Sequence, residues 1–141
     1  MEDRGGPAVQ AALDNPDWNI AEHTIVPDDL DRVASTLCRW TDDLKLDVIF
    51  TTGGTGLGPR DITPEATSSV ITRPVPGIAE GIRSASLAQT QQAMLSRSVA
   101  GVRANTLIIN LPGSPQGAAE GVQVVCPVLE HAVATLHGAR H

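Results

Sequence analysis

Aromatic residues are scarce in this chain of 141 residues, which contains one phenylalanine, two tryptophans and no tyrosine. Proteins that hold single-stranded nucleic acid stack its bases on aromatic side chains, and this sequence cannot supply such a platform. Basic residues are also few, because ten Lys and Arg stand against sixteen Asp and Glu, for a net charge of −6. Composition and charge therefore argue against nucleic acid as a partner. An acidic protein still binds phosphates where a local site is built from backbone N–H groups.

Cysteines and long apolar runs are the next absences. Cys38 and Cys126 are the only cysteines and form no CxxC pair, so the sequence offers no thiol zinc site. No apolar run approaches the roughly 20 residues that span a bilayer, and no signal-peptide pattern opens the chain. We therefore expect a cytoplasmic protein that makes no membrane contact, with residues 1–141 forming a single domain.

Hydrophobic periodicity predicts that helices and strands alternate along the chain. Helices are predicted over 7–13, from Asp28 or Asp29 to Leu44, from Pro64 onwards with Thr63 as the N-cap, over 77–88, and over about 118–136 with a kink at Pro127. Strands are predicted over 19–26, 46–51 and 106–111, and the last two are β-branched runs typical of buried parallel strands. This alternation predicts a three-layer α/β fold with a mostly parallel sheet.

Glycine-rich loops follow the two clearest strands. The first loop runs from the end of the 46–51 strand to Asp61, and the second covers 112–117. Because ligands of open α/β sheets bind beyond the carboxyl ends of the strands, we expect both loops on one functional edge.

The first loop has the composition of a phosphate site. Gly53, Gly54 and Gly56 allow the backbone to approach a bulky anion, Thr55 adds a hydroxyl donor, and Asp61 closes the loop. A nest of N–H donors beside a carboxylate suits phosphates with Mg²⁺, and hence phosphoryl or nucleotidyl transfer. The loop matches neither the Walker A motif nor the dinucleotide-binding spacing. Taken alone, it leaves open a glycine-rich turn with only a structural role.

A longer string makes the pattern specific. Residues 51–67, TTGGTGLGPRDITPEAT, resemble the signature of the molybdopterin adenylyltransferase and gephyrin G-domain family. Further matches follow in the family's order at 2–4, 25–28, 76–77, 94–97, 101–103 and 106–114. The resemblance covers nearly the whole chain.

The resemblance implies an activity in molybdenum cofactor biosynthesis. The family joins AMP from ATP to the terminal phosphate of molybdopterin, with Mg²⁺ assisting and pyrophosphate released. The adenylylated product then serves molybdate insertion by a partner protein or domain, and family members are typically trimers. A non-catalytic molybdopterin-binding or oligomeric scaffold domain is the alternative.

The resemblance also implies roles for particular residues. Asp28 and Asp61 match the two acidic positions important for catalysis, and handling of Mg²⁺ and phosphate is expected of them. Ser96 matches a serine near the transfer site. The two loops match the ligand-binding positions, which are Gly53, Gly54, Thr55, Gly56, Asn110, Pro112, Gly113 and Ser114.

Several of these residues also have structural alternatives. Asp28 is placed to cap the following helix, and Asp61 to form a turn with Arg60. Arg97 and Arg103 suit either a phosphate or a surface carboxylate. Asn110 follows a buried strand, where an amide side chain also satisfies loop backbone groups.

The chain departs from the family at its start. Family members usually begin with an apolar strand followed by a short loop carrying Ser-Asp, whereas here Met1 directly precedes the 2–4 match. We therefore expect the first family strand to be missing and the domain to be N-terminally truncated. Loss of an inner strand exposes neighbouring edges and part of the core. Three explanations stay open, which are a fragment or mis-started reading, a variant with weakened or absent activity, and another segment that fills the gap.

Overall fold

Helices and strands alternate along residues 5–14 and 16–138, the part of the chain that this computed structural model describes. The helices are α1 (Gly5–Ala12), α2 (Leu30–Asp42), α3 (Thr63–Val70), α4 (Pro76–Leu87) and α5 (Pro115–Leu136), with a 3₁₀ turn at Gln91–Leu95. The strands are β1 (Val48–Thr52), β2 (Arg73–Pro74), β3 (Ala100–Arg103) and β4 (Thr106–Leu111). The 2–4 match to the family lies outside the described residues.

The four strands form one mixed sheet in the order β1-β4-β3-β2. β1 is parallel to β4, with Val48 opposite Leu107, while β3 is antiparallel to both β4 and β2. Three strands therefore run in one direction and β3 in the other. All six residues of β4 are buried, as the β-branched run predicted. The predicted α/β class is confirmed.

Helices cover both faces of the sheet, which gives three layers. Leu107, Ile109 and Leu111 of β4 share one core cluster with residues of α4 and α5, and Val9 of α1 joins it. Ile108 points the other way and packs with a cluster that includes Leu37 of α2. Side chains of a strand alternate between its two faces, so β4 supplies apolar groups to both layers.

Most predicted elements lie within a few residues of the observed ones, and the predicted strand over 19–26 is wrong. This segment forms neither helix nor strand, and most of its residues are exposed. A strand needs a neighbour for its backbone groups, and these residues pair with none of the described strands. β2 and β3 were not predicted because segments of two and four residues carry little periodicity.

Two helix boundaries also differ from expectation. Ile62, not Thr63, is the N-cap of α3, which places Thr63 inside the first turn. α5 begins at Pro115 and runs without interruption through Pro127. Of the helices in the described ranges, none combines the length and hydrophobicity that crossing a bilayer requires.

Candidate functional site

The first glycine loop begins directly after β1 with two residues in the left-handed region. Gly53 has φ +82° and Gly54 has φ +69°, values that residues other than glycine rarely adopt. A Cβ atom on Gly54 would overlap the hydroxyl of Thr63, the first residue of α3. The Thr63 N–H donates to the Gly54 carbonyl at 3.1 Å. The loop therefore turns tightly back onto α3, and glycine is required there.

The second loop lies against the first. The Gly53 N–H donates to the carbonyl of Leu111, the last residue of β4, at 3.1 Å. A Cβ atom on Gly113 would lie 3.2 Å from the Gly53 Cα. Because β1 and β4 are adjacent and parallel, their carboxyl ends lie side by side, and the structure brings the two loops together as expected.

Both loops present backbone donors. Within the described ranges, the N–H groups of Gly54, Thr55 and Gly56 have no hydrogen-bond acceptor. The second loop leads into the N-terminus of α5, where the Ser114 hydroxyl caps the helix by accepting from the Gly117 N–H at 3.1 Å. Unpaired N–H groups and the positive end of a helix dipole both favour an anion.

Pro112 lies beside this helix start. A Cβ atom on Gly117 would lie 3.1 Å from the Pro112 Cβ, so the proline packs closely against the first turn of α5. Proline restricts the backbone at the point where β4 enters the second loop. Pro112 therefore helps to fix the direction in which Gly113 and Ser114 leave the sheet.

Asp61 is bound into its own loop. Its Oδ2 accepts from the Gly58 N–H at 2.9 Å, and the Asp61 N–H donates to the Gly58 carbonyl at 3.1 Å. A Cβ atom on Gly56 would lie 2.9 Å from the same Oδ2, so the carboxylate lies over the glycine backbone. The turn that Asp61 closes is therefore made with Gly58 rather than with Arg60.

Asp28 does not cap α2. The Asp29 carboxylate caps α2, accepting from the N–H groups of Asp31 at 3.0 Å and Arg32 at 3.4 Å. The Asp28 side chain is exposed, and among the described residues it makes no hydrogen bond or ion pair. Its carboxylate is therefore available to a ligand.

A cavity of about 710 Å³ joins Asp28 to the loops. Its wall includes Asp28, Gly53, Gly54 and Gly113, and it continues along the whole of β1. The other predicted site residues do not line it, and these are Thr55, Gly56, Asp61, Ser96, Asn110, Pro112 and Ser114. The structure thus brings Asp28 and both glycine loops to one cavity. Asp61 lies off the cavity wall, on the other side of the first loop.

Arg97 anchors the first loop, a role that the sequence analysis did not predict. Its Nε donates to the Gly56 carbonyl at 2.8 Å, and its Nη2 donates to the Asp61 carbonyl at 2.6 Å. Its backbone N–H donates to the Thr55 carbonyl at 2.8 Å. The remaining Nη1 pairs with Glu65 at 2.5 Å, which raises the pKa of Arg97 and lowers that of Glu65. The planar guanidinium therefore holds the loop's shape.

Arg103 binds a surface carboxylate, one of the two partners considered for it. Its Nη2 pairs with the Asp42 carboxylate at 2.9 Å, and its Nη1 donates to the Val70 carbonyl at 3.0 Å. This contact raises the pKa of Arg103 and lowers that of Asp42. Arg103 therefore links the end of β3 to α2 and α3.

Replacing Arg97 with lysine is expected to loosen the first loop, because a single ammonium cannot reproduce the fork of donors. Amide hydrogen exchange at Gly58 and Asp61, whose N–H groups are hydrogen-bonded within the loop, should accelerate on the order of tenfold, since the loop then opens locally more often. Arg103→Lys is the matched control and should leave exchange in this loop unchanged. Equal protection of the loop in the Arg97 variant would show that other contacts hold it.

Asn110 joins the elements around the loops. It is fully buried, and its Oδ1 accepts from the Val99 N–H at 3.1 Å. Its Nδ2 donates to the hydroxyls of Thr51 at 2.9 Å and Thr67 at 3.0 Å. Because both amide hydrogens are engaged, Asn110 has no donor left for a ligand.

Asn110→Ala is expected to lower the free energy of unfolding by about 2 kcal/mol, because it removes the three hydrogen bonds of a fully buried side chain and leaves the half-buried Val99 N–H without a partner. Urea unfolding followed by circular dichroism measures this loss. The control is Asn105→Ala, in the exposed turn between β3 and β4, which should change stability by less than about 0.5 kcal/mol. Equal effects of the two substitutions would contradict the assigned network.

Ser96 lies on the segment that Arg97 fixes to the loop. Its hydroxyl is within 3.0 Å of the Ser98 hydroxyl and accepts from the Ser98 N–H at 3.3 Å. The Ser96 carbonyl accepts from Arg83 Nη1 at 3.0 Å. These contacts give Ser96 a fixed position beside the first loop.

Comparison with known families identifies this arrangement. Residues 1–131 match the family described as "Probable molybdopterin binding domain". The chain belongs to this family. The resemblance read from the 51–67 string is therefore confirmed. The loops and the cavity described above are parts of a molybdopterin-binding domain.

The relatives of this molybdopterin-binding domain include both single-domain and much longer proteins. It is 40% identical over 139 residues to molybdopterin adenylyltransferase of Helicobacter pylori, covering 97% of this chain and 79% of that protein. It is 47% identical over 109 residues to the molybdenum cofactor synthesis protein cinnamon of Drosophila melanogaster, and 42% identical over 118 residues to gephyrin of Dictyostelium discoideum. These two matches cover 77% and 84% of this chain but only 18% and 16% of those proteins.

A solved structure agrees with the fold. The molybdopterin biosynthesis enzyme MoaB of Thermus thermophilus superposes with a TM-score of 0.91 at 46% identity. The match covers 99% of this chain and 87% of that one. At this identity and coverage the molybdopterin-binding domain shares its architecture with that enzyme throughout.

Proposed function

We propose that this chain transfers AMP from ATP to the terminal phosphate of molybdopterin, a step of molybdenum cofactor biosynthesis. One observation carries the proposal. Two glycine loops in contact, with unpaired N–H donors, share a cavity with the unpartnered carboxylate of Asp28. The name of the Helicobacter pylori relative supports the same reaction.

Adenylyl transfer of this kind requires no nucleophile from the protein. An oxygen of the molybdopterin phosphate attacks the α-phosphorus of ATP, forming a new P–O bond. The bond from the α-phosphorus to its bridging oxygen breaks at the same centre, and pyrophosphate leaves. The chain's task is to position two phosphates and stabilise their charge, and we assign this task to the unpaired N–H groups of Gly54, Thr55 and Gly56.

The carboxylates suit Mg²⁺ in a site shared with substrate phosphates. No group of three or more His, Cys, Asp or Glu side chains gathers to hold a metal in the described ranges. Mg²⁺ is usually held by only one or two carboxylates together with phosphates and water. Asp28, exposed on the cavity wall, fits that donor set, and Asp61 keeps the oxygen that Gly58 does not engage. When bound, Mg²⁺ would neutralise phosphate charge there.

The remaining predicted residues divide between contact and positioning. We assign phosphate contact to the first loop and to Gly113 and Ser114, and backbone positioning to Pro112. Asn110 positions the loops through its buried network. Ser96 acts beside the first loop, on the segment anchored by Arg97.

The test is to incubate the purified chain with ATP, Mg²⁺ and molybdopterin. Mass spectrometry should detect adenylyl-molybdopterin, and pyrophosphate should appear in equal amount and only when molybdopterin is present. Pyrophosphate release that ignores molybdopterin would contradict the proposal. Tight molybdopterin binding without product would favour a non-catalytic binding or scaffold domain.

The proposal also covers the oligomeric state, the partner and the cellular location. We propose a homotrimer, a molybdate-insertion protein or domain as the partner that takes the product, and the cytoplasm as the location. The free thiols of Cys38 and Cys126 agree with a reducing compartment. Light scattering after size exclusion tests the assembly, and a mass other than that of three chains would contradict a trimer.

A further inference from the structure

Glu65 lies on α3, the helix that supports the first loop. Thr63 of the same helix donates its N–H to the Gly54 carbonyl at 3.1 Å. The Glu65 carboxylate binds Arg97 Nη1 at 2.5 Å, and Arg97 in turn binds the later part of the loop. α3 therefore contacts the start of the loop directly and its end through the Glu65–Arg97 pair.

The helix that carries Glu65 is itself held in the core. Ala66 and Thr67 are fully buried, and Val70 packs with the cluster on the α2 side of the sheet. The Thr67 hydroxyl accepts from Asn110 Nδ2 at 3.0 Å. Side chains on a rigid helix are positioned more precisely than those on a loop, so Glu65 has a defined place beside the loop.

Glu65 supplies the charged acceptor of the Arg97 guanidinium. Within the described ranges, the other two acceptors of this group are the carbonyls of Gly56 at 2.8 Å and Asp61 at 2.6 Å. Both carbonyls are neutral, whereas hydrogen bonds between charged groups are roughly twice as strong as those between neutral groups. Nη1 is therefore committed to Glu65.

The Asp61 carboxylate lies near the same guanidinium but is not hydrogen-bonded to it. Its Oδ2 accepts from the Gly58 N–H at 2.9 Å, while Arg97 binds the backbone carbonyl of the same residue. The hydrogen bond to Glu65 is the main cause of the raised pKa of Arg97, and the charge of Asp61 also contributes. If Nη1 lost its charged partner, the Asp61 carboxylate would be within reach to replace it.

We propose that Glu65 is a positioning residue for adenylyl transfer, which occupies Arg97 and so keeps the Asp61 carboxylate on the Gly58 turn, available to Mg²⁺ and phosphate. This inference rests on the proposed function, in which Asp61 handles Mg²⁺ and phosphate. Glu65 acts only through Arg97. Its charge decides that the guanidinium binds the carbonyl of Asp61 and leaves the carboxylate of that residue free.

Glu65→Gln tests the charge, because glutamine keeps the shape of the side chain and an oxygen that accepts from Arg97. We expect kcat for adenylyl transfer to fall about 10–30-fold and KM for molybdopterin to change less than about twofold, since the loop's N–H groups are kept. Glu65→Asp keeps the charge and should restore kcat to within about threefold of the unsubstituted chain. Steady-state kinetics with ATP, Mg²⁺ and molybdopterin measures both constants.

Asp42→Asn is the matched control for these kinetics. In the Asp42–Arg103 pair the two side chains are 46% and 28% exposed, close to 48% and 35% for Glu65 and Arg97. Removal of either carboxylate charge should therefore have a similarly small effect on stability. Asp42→Asn should leave kcat and KM unchanged, because Arg103 makes no hydrogen bond to the first loop.

Amide hydrogen exchange at Gly58 provides a readout that needs neither substrate nor metal. In Glu65→Gln, capture of the Asp61 carboxylate by Arg97 removes the acceptor of the Gly58 N–H, so its exchange should accelerate about 5–10-fold. The Ala66 N–H, which is bonded within α3, should keep its rate. In an Asp61→Asn background, Glu65→Gln should add no acceleration at Gly58, because the carboxylate that Arg97 would capture is gone.

Three results would overturn the proposal. An equal loss of kcat in Glu65→Gln and Asp42→Asn would make Glu65 an ordinary surface partner. Unchanged Gly58 exchange in Glu65→Gln would show that Asp61 keeps its position without the charge. Equal acceleration with and without the Asp61 carboxylate would assign the effect to a loosened loop. The exchange experiments test the contact even in a chain that forms no adenylyl-molybdopterin, a result that would contradict the proposed function instead.

Discussion

Asp28→Asn is expected to lower kcat/KM for adenylyl transfer by about 10²–10³-fold, while the free energy of unfolding stays unchanged. The carboxylate is exposed and makes no hydrogen bond or ion pair with the rest of the described chain, so the fold does not depend on it. It lies on the wall shared with Gly53 and Gly113, where charge on the transferring phosphate must be balanced. Steady-state kinetics with molybdopterin and ATP, beside thermal unfolding, measures both quantities.

Asp29→Asn is the control for this substitution. Asparagine caps a helix about as well as aspartate, so α2 should remain stable and turnover should be kept. Asp61→Asn is a second comparison, expected to abolish transfer with little loss of folding, because an amide oxygen still accepts from the Gly58 N–H. Full turnover in the Asp28 variant would remove that residue from the proposed machinery, and full turnover in the Asp61 variant would remove the other acid.

Local sequence patterns predicted the parts of the fold whose causes are local. β4 is buried along its whole length because four of its six residues are apolar and serve both faces, and that pattern is visible in the sequence. The Pro at the start of α3 likewise marks a helix start without any tertiary information. The loops follow from these strands, so their meeting was also predictable.

Other features of the fold depend on contacts between residues distant in sequence, which local sequence patterns do not report. Residues 19–26 alternate weakly enough to suggest a strand, yet strand formation needs a neighbour that no local signal reports. Arg97 reaches Gly56 and Asp61 across more than thirty residues, so its anchoring of the loop could not be predicted from local sequence. Asp28 and Asp29 are equivalent as caps by composition, and only the geometry of the first turn of α2 assigns the cap to Asp29.

Gly54→Ala is expected to destabilise the domain by about 2–5 kcal/mol. A left-handed backbone costs a residue with a Cβ about 1–2 kcal/mol, and the overlap with the buried Thr63 hydroxyl adds about 1–3 kcal/mol. Relief of that overlap requires the loop to move away from α3, which also displaces the N–H groups of Thr55 and Gly56. Urea unfolding measures the stability, and molybdopterin binding measured on the folded fraction should weaken as well.

Gly77→Ala is the matched substitution for this test. Gly77 lies in the first turn of α4, and nothing stands within 4 Å of a Cβ atom built there. Alanine is favoured over glycine in a helix, so this variant should be unchanged or more stable by up to about 1 kcal/mol. If Gly54→Ala were as stable as Gly77→Ala, the loop would tolerate a side chain at its tightest point. Phosphate binding by this loop would then not depend on a strict backbone geometry at Gly54.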